Sequence, residues 1–297
     1  MLEIRNPSLS AITTLGLGGT CSLELTVGSR DDLAAMDDRI RELGLPVYVV
    51  GRGSNIFGLD GSHEAVLVRP AFTDGPAVLG DETADGRVLV SCGAGISLPV
   101  LLAFLREKGL SGMEGLAGIP GTVGGAVAMN AGSFGTSTAE SLDSVEIWSG
   151  GRLVRLTPDA CETGYRHFRP CGLTGSFLVV SAVFRLSRST SQDVAAGMQH
   201  NFQMKKSRQP ITARSAGCVF RNPACGVSAG ALLERAGFRG RRKGGVALSE
   251  QHANFLVNLG GGTSSEALAL LEEARTAVRA MAGELDFEVR FLPCLSS

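Results

Sequence analysis

The chain has 297 residues, 44% of them hydrophobic and 19% charged, with a formal net charge of −1. That length is more than one ordinary core fills, so two or three compact units are expected, and the apolar content excludes bulk disorder. The near-neutral balance, with no basic block beyond Arg239 to Lys243, argues against a nucleic-acid or membrane-surface partner.

From the amino terminus, MLEIRNPSLS carries no basic and apolar leader, and no stretch approaches membrane-span length, which places the protein in the cytoplasm. Asp31 to Leu43 has apolar residues at Leu33, Met36, Ile40 and Leu43, a helical spacing, with Gly44 as C-cap. Leu45 to Val50 and Glu64 to Val68 read as strands around G-R-G-S-N-I-F-G. Arg87 to Cys92 is a third strand, followed by a turn at Gly93 and Gly95. A helix capped by Ser97 then runs to Lys108, with Pro99 in its first turn and Gly109 at its end. Val145 to Trp148, Arg152 to Leu156 and Phe177 to Leu186 are further strands. Polar Ser187 to Asp193 forms a boundary before a helix from about Val194 to Met204. The last helix, Ser265 to Met281, opens on a capping box of Thr263 and Glu266, with Leu268, Leu271 and Val278 on one face. Seven cysteines, an odd and scattered set without a C-x-x-C pair, and four histidines argue against a disulfide framework and against a bound metal.

Forty glycines are about twice the usual share, and they cluster. Gly51-Arg52-Gly53-Ser54-Asn55 directly follows a strand, where N–H groups can approach a phosphate and Ser and Asn add donors. A tight strand-exit turn is the alternative reading. A Rossmann site is disfavoured because Ile56 stands where that fingerprint needs a small residue. Leu116 to Gly135 interleaves glycines with small residues and carries no charge. Either an extended cofactor with phosphates and a flat ring presses on that backbone, or the segment is a glycine-rich core crossover.

Residues 109 to 132, G-L-S-G-M-E-G-L-A-G-I-P-G-T-V-G-G-A-V-A-M-N-A-G, resemble the flavin-binding core of the UDP-N-acetylenolpyruvoylglucosamine reductase family. Further pieces follow in that family's order: T-T-L-G-L-G-G-T at 13 to 20, V-G-R-G-S-N at 50 to 55, G-Y-R at 164 to 166 and A-G-C-V-F-R-N-P at 216 to 223. A-L-L-E-R-A-G-F-R-G at 231 to 240, S-E-Q-H-A-N-F-L-V-N at 249 to 258 and F-E-V-R at 287 to 290 complete the set. The resemblance implies an α+β chain with a vanillyl-alcohol-oxidase-type FAD-binding fold in two subdomains, residues 1–75 and 76–192, and an α/β substrate domain over 193–297. With only Tyr48 and Tyr165 in the chain, it is similar to the family's shorter form, which lacks a tyrosine-bearing loop. It also implies FAD and NADPH as cofactors, UDP-N-acetylglucosamine enolpyruvate as substrate, and a monomer. FAD contacts would come from Gly51, Arg52, Gly53, Ser54 and Asn55, and from Gly118, Ile119, Pro120, Gly121, Thr122, Gly124, Gly125, Ala126, Asn130 and Gly132.

Reducing an enolpyruvyl double bond requires hydride at the terminal vinyl carbon, a proton at its neighbour, and a cation for the carboxylate as charge builds. By the resemblance, Arg166 takes the carboxylate, as a guanidinium fork suits, and Glu288 polarises that environment or relays a proton. Arg290 assists in binding. Most of the family carries serine at the proton-donor position, whereas this chain has Cys218, and Ser215 stands three residues too early. A thiol, with an ordinary pKa of about 8.5, is the stronger acid, so Cys218 is the expected donor. Arg221, Asn222 and Arg208 (or Lys206) are expected at the nucleotide-sugar. His252 reads as a packed, hydrogen-bonded histidine, and Cys21, Cys92 and Cys161 as buried apolar thiols. Two rival functions share part of this pattern: an FAD-dependent oxidase of a small alcohol or hydroxy acid, and a non-catalytic UDP-sugar-binding protein.

Overall fold

The computed structural model describes residues 1–224 and 226–294; Cys225, counted above among the scattered cysteines, lies outside the described residues. The chain forms two compact units, one of residues 1–3, 25–51 and 67–204, the other of residues 4–24, 52–66 and 205–297. Strands Thr20–Val27 and Ser62–Pro70 and helix Ser191–Arg208 each carry the chain from one unit into the other.

The first unit is built on an antiparallel sheet in the order Arg152–Leu156, Leu142–Ser149, Leu178–Arg188, Arg87–Gly93, Ala77–Leu79. Leu178–Arg188 is its spine, pairing from Ser181↔Gly93 to Ser187↔Arg87 on one side and with Leu142–Ser149 on the other. Its burial pattern is nearly continuous, as expected of a central strand covered on both faces. Helix Arg30–Leu43 begins on a capping box in which Ser29 and Asp32 exchange backbone and side-chain bonds, and ends at Gly44 with φ 62°, where a side chain would strain. Helix Leu98–Lys108 ends on a left-handed Gly109 as expected, but Ser97 makes no side-chain cap bond.

Three elements differ from the sequence-based expectation for identifiable reasons. The strand near Tyr48 is only Val47–Val49, because Pro46 has no N–H to give a ladder. Ser187 and Arg188 belong to a strand rather than a boundary, since they pair with Ser111 and Leu110, a long-range contact local polarity does not reveal. The helix that follows starts earlier, at Ser191, because the Thr190 hydroxyl oxygen accepts from the Asp193 N–H at 3.0 Å and its O–H donates to Asp193 Oδ2 at 2.7 Å.

The second unit carries an antiparallel sheet in the order Arg214–Cys218, Phe255–Asn258, Val246–Leu248, Arg242–Lys243. Arg290–Leu292 pairs in parallel with Ile56–Gly58. Helices Ala229–Arg235 and Ser264–Ala282 supply Leu232, Leu233, Leu270, Leu271 and Val278 to a core shared with Phe57, Phe220 and Leu256. Each such side chain stabilises by about 1.5–3 kcal/mol on burial. The expected Thr263–Glu266 capping box is present, and Asp60 reinforces it by accepting from the N–H groups of Ser264 and Ser265, both at 3.1 Å. Among the described residues no helix is long and apolar enough to cross a membrane.

Candidate active site

In the first unit the glycine-rich segment runs beside the turn at the end of strand Arg87–Gly93. Leu98 N–H donates to Gly121 O at 3.0 Å, Val123 N–H to Ile96 O at 2.9 Å and Gly124 N–H to Ala94 O at 2.9 Å. Thr122 caps the short helix Val123–Ala128 by accepting from Gly125 N–H at 3.3 Å. The first N–H groups of that helix are therefore bonded within the chain.

Much of the glycine requirement here has an internal cause. A Cβ on Gly124 would lie 2.9 Å from Ala94 Cβ, one on Gly115 2.7 Å from Ser133 O, and one on Gly132 would strike Thr136 O. Gly51 lies so near Thr122 that a Cβ there would come within 2.7 Å of its Oγ1, and Arg69 holds the Gly51 carbonyl at 2.9 Å. Gly125 is different: among the described residues an added Cβ would meet only Thr122 Oγ1, at 3.4 Å. The unit thus brings Gly51, Gly95 and Gly121 to Gly125 together as a patch of backbone and small side chains, with Gly51, Gly95, Thr122 and Gly125 partly exposed, Gly121, Val123 and Gly124 buried, and the Arg69 guanidinium at its Gly51 end. A group with a flat ring and a diphosphate fits such a surface, which backbone can approach closely.

Arg166 is in this unit, at the tip of the hairpin Cys161–Gly164 and His167–Pro170, whose register closes on Gly164↔His167. The two-residue turn Tyr165–Arg166 puts Arg166 at φ 53°, an unusual backbone state for a side-chain-bearing residue. Its guanidinium lies over the Tyr165 ring, 5.0 Å from the centroid.

The segments that carry Cys218 and Glu288 adjoin in the second unit. Cys218 ends strand Arg214–Cys218 opposite Phe255, after an irregularity between Ser215 and Cys218. Gly217, at φ 78°, donates to Ser215 Oγ at 3.1 Å, so the Ser215 hydroxyl serves the bulge while Cys218 is carried past it, half-buried. On the other side, Glu288 N–H donates to Val219 O at 2.7 Å and Arg221 N–H to Asp286 O at 2.8 Å. The Phe220 and Phe287 rings stack at 5.1 Å. Glu288 is only 6% exposed. The loop residue Asn55 braces this segment: its Nδ2 donates to Glu288 O at 3.1 Å, and its own carbonyl accepts from Arg290 N–H at 3.0 Å.

Arg208, Arg221 and Asn222 are exposed. Asn222 Oδ1 accepts from Ala229 N–H at 3.0 Å at the start of a helix. His252 packs edge-on against Phe255 with centroids 4.9 Å apart, and its Nδ1 accepts from Asn254 N–H at 3.2 Å; burial holds its pKa below the ordinary imidazole value. Cys21 and Cys92 are buried, and burial alone pushes their thiols up to about 11 and about 12. Cys161 is only partly buried.

One residue important to the site lacked any signal in its type. Asn254, 2% exposed, grips Phe220 from both sides, donating Nδ2–H to Phe220 O at 2.8 Å and accepting Phe220 N–H at 3.0 Å. Its carbonyl accepts from Val219 N–H at 2.9 Å. It fixes the strand just past Cys218.

Residues 209–292 match the C-terminal domain of UDP-N-acetylenolpyruvoylglucosamine reductase, and residues 22–157 match an FAD binding domain. The chain is 48% identical over 295 residues to the UDP-N-acetylenolpyruvoylglucosamine reductase of Oleidesulfovibrio alaskensis, covering 98% of both chains. With that of Nitratidesulfovibrio vulgaris it shares 48% over 298 residues, 99% of this chain and 100% of the relative. Among solved structures it is similar to UDP-N-acetylenolpyruvylglucosamine reductase from Thermus caldophilus, with a TM-score of 0.80, 31% identity and 98% of each chain covered. The mixed α and β architecture agrees with these matches.

Proposed function

Because this chain belongs to the UDP-N-acetylenolpyruvoylglucosamine reductase family, we propose that Arg166, Cys218 and Glu288 are the residues with which it carries out that family's reaction. The reaction is the NADPH-dependent reduction of UDP-N-acetylglucosamine enolpyruvate to UDP-N-acetylmuramate, a step in making peptidoglycan precursors. Bound FAD would supply the redox chemistry, relaying hydride from NADPH to the terminal vinyl carbon of the enolpyruvyl group. In this reading residues 1–75 and 76–192 hold the cofactor, through Gly51 to Asn55 and Gly118 to Gly132 apart from Asn130, whose amide is taken up by Gly164 and Ala139, and residues 193–297 serve the substrate. Val123 and Gly124 are buried, with their N–H groups bonded to Ile96 and Ala94, so they would shape the backbone beneath the cofactor rather than bond to it.

The guanidinium of Arg166 pairs with the substrate carboxylate and stabilises the charge that gathers there as the double bond is reduced. Cys218 Sγ–H gives its proton to the carbon bearing that carboxylate, and the thiolate left behind regains a proton from solvent. Glu288, buried beside Val219, polarises the substrate carboxylate or relays that proton. Arg208, Arg221 and Asn222 contact the nucleotide-sugar. The enzyme acts as a cytoplasmic monomer.

The observation that best supports this assignment is the 2.7 Å bond from Glu288 N–H to Val219 O. It sets the expected proton donor and the expected carboxylate on adjoining segments although 70 positions separate them in the sequence. The test is anaerobic. The protein is reduced with NADPH, UDP-N-acetylglucosamine enolpyruvate is added, and return of the visible flavin band is followed. Cys218→Ser should retain the return, and Cys218→Ala should slow it by roughly 10²–10⁴-fold while still being reduced by NADPH. Full-speed return in Cys218→Ala would remove Cys218 as the donor, and bleaching reversed only by oxygen would remove the reductase reading.

A further inference from the structure

The hairpin that presents Arg166 is a two-stranded ribbon, Cys161–Gly164 with His167–Pro170. Such a ribbon has little independent stability, so where its tip points depends on what tethers it. Near its base Phe168 and Pro170 are buried. At the tip end, Asn130 Nδ2 donates to Gly164 O at 2.9 Å, two residues before Arg166. Asn130 is 6% exposed, and its other amide atom, Oδ1, accepts from Ala139 N–H at 2.9 Å. The amide is therefore a strut with both ends engaged, one on the half-buried turn Thr138–Ser141 of the first unit and one on the hairpin. Asn130 also sits at φ 40°, a left-handed state that Asn tolerates better than most residues. That backbone bend follows the exit of helix Val123–Ala128 and aims the amide at the hairpin.

We propose that Asn130 is a positioning residue for Arg166: by holding Gly164 it fixes the hairpin tip and hence the guanidinium that receives the substrate carboxylate. This rests on the assignment of Arg166 made above. Misplacing a charge-stabilising group by about an ångström can cost a hundredfold in rate, so one strut at the tip is enough to matter.

Asn130→Asp is the sharpest probe. Aspartate tolerates the same backbone state and keeps an acceptor for Ala139 N–H, yet it cannot donate to Gly164 O while ionised. In the FAD-loaded holoenzyme, reoxidation of the flavin by UDP-N-acetylglucosamine enolpyruvate should slow by about tenfold or more, with reduction by NADPH slowed less than about threefold. Hydrogen exchange of amides between 161 and 170 should quicken, while that of strand Leu178–Arg188 stays unchanged. Placed on Arg166→Lys, Asn130→Asp should cost less than about twofold further, since both act through the same guanidinium. Equal loss in both half-reactions, accompanied by lost flavin and a lower melting temperature, would make Asn130 merely structural. Full additivity with Arg166→Lys would likewise overturn the proposal. If Arg166→Lys and Arg166→Ala both left reoxidation at full speed, the assignment of Arg166 would fall instead, and the positioning role with it.

Discussion

Replacing Asn254 with alanine removes two hydrogen bonds at one stroke, the Nδ2–H to Phe220 O bond at 2.8 Å and the Phe220 N–H to Oδ1 bond at 3.0 Å. Phe220 has no solvent exposure, so its N–H and C=O lose partners where water does not replace them. Each buried group left unsatisfied costs about 1–3 kcal/mol, giving about 2–6 kcal/mol in all, and a water entering the small space vacated by the amide would keep the value near the lower half. About 3 kcal/mol is a large share of a typical total of about 5–15 kcal/mol. It corresponds to roughly a hundredfold loss of protection, so hydrogen exchange at Val219 and Phe220 is the direct assay. The single tryptophan, Trp148, lies in the other unit, and its fluorescence is the wrong probe. Asn254→Asp keeps the acceptor but sets a carboxylate against Phe220 O. That variant should recover stability as the pH falls, because the protonated acid can donate again. A change of less than about fivefold in exchange at Phe220 would refute the reasoning, since it would mean that the grip on Phe220 does not hold the Cys218 strand.

Three further outcomes are expected. Asp60 is raised by burial, but the bonds from Ser264 and Ser265 outweigh that and leave its pKa below the ordinary value; Glu266 is lowered by backbone bonds from Thr263 and Gly245. Depressed folded pKa values mean that both contributions are fully present above the unfolded pKa of about 4 and are lost as the pH falls below it, so acid unfolding should be less steep in Asp60→Asn. In the native protein at mildly alkaline pH, a thiol reagent should label exposed Cys171 and Cys294 quickly and spare Cys21 and Cys92, whose thiols burial raises to about 11 and about 12; mass spectrometry of peptides reads this, and early labelling of Cys92 would contradict the burial. Gly124→Ala should lose about 1–3 kcal/mol against Ala94. Gly125→Ala should hold or gain about 0.5–1 kcal/mol as apoprotein and yet bind FAD more weakly, with melting and flavin titration as the paired measurements and equal behaviour of the two variants as the refuting result.

What the sequence made legible was whatever is decided within a few residues. The Thr263–Glu266 box and the glycines after Leu43 and Lys108 end or begin helices through contacts inside one turn, and the apolar spacing of Leu271 and Val278 is itself the buried face. The bulge that carries Cys218 past Ser215 was not legible, because it depends on pairing with Phe255–Asn258. The two asparagines were hidden for the same reason: Asn130 reaches Gly164 and Asn254 reaches Phe220, each 34 positions away. Asp60 caps a helix that starts 204 positions later. An amide or carboxylate looks the same in sequence whether it ends in water, on a ligand or on a distant carbonyl.

The glycine-rich segment carries that ambiguity furthest, since glycine reports only that no side chain fits and not what occupies the space. At Gly115, Gly124 and Gly132 the occupant is the chain's own backbone or Ala94, so those positions would be required with or without a cofactor. At Gly125 no such neighbour exists among the described residues beyond the cap hydroxyl of Thr122, and glycine in a helix otherwise costs about 0.5–1 kcal/mol relative to alanine. At that position, where the cap hydroxyl is the one contact found among the described residues, the proposed cofactor would account for the missing side chain. The crossover and the cofactor are therefore not rival accounts of one segment: the first explains the glycines that face inward, and the second is needed only for those that do not.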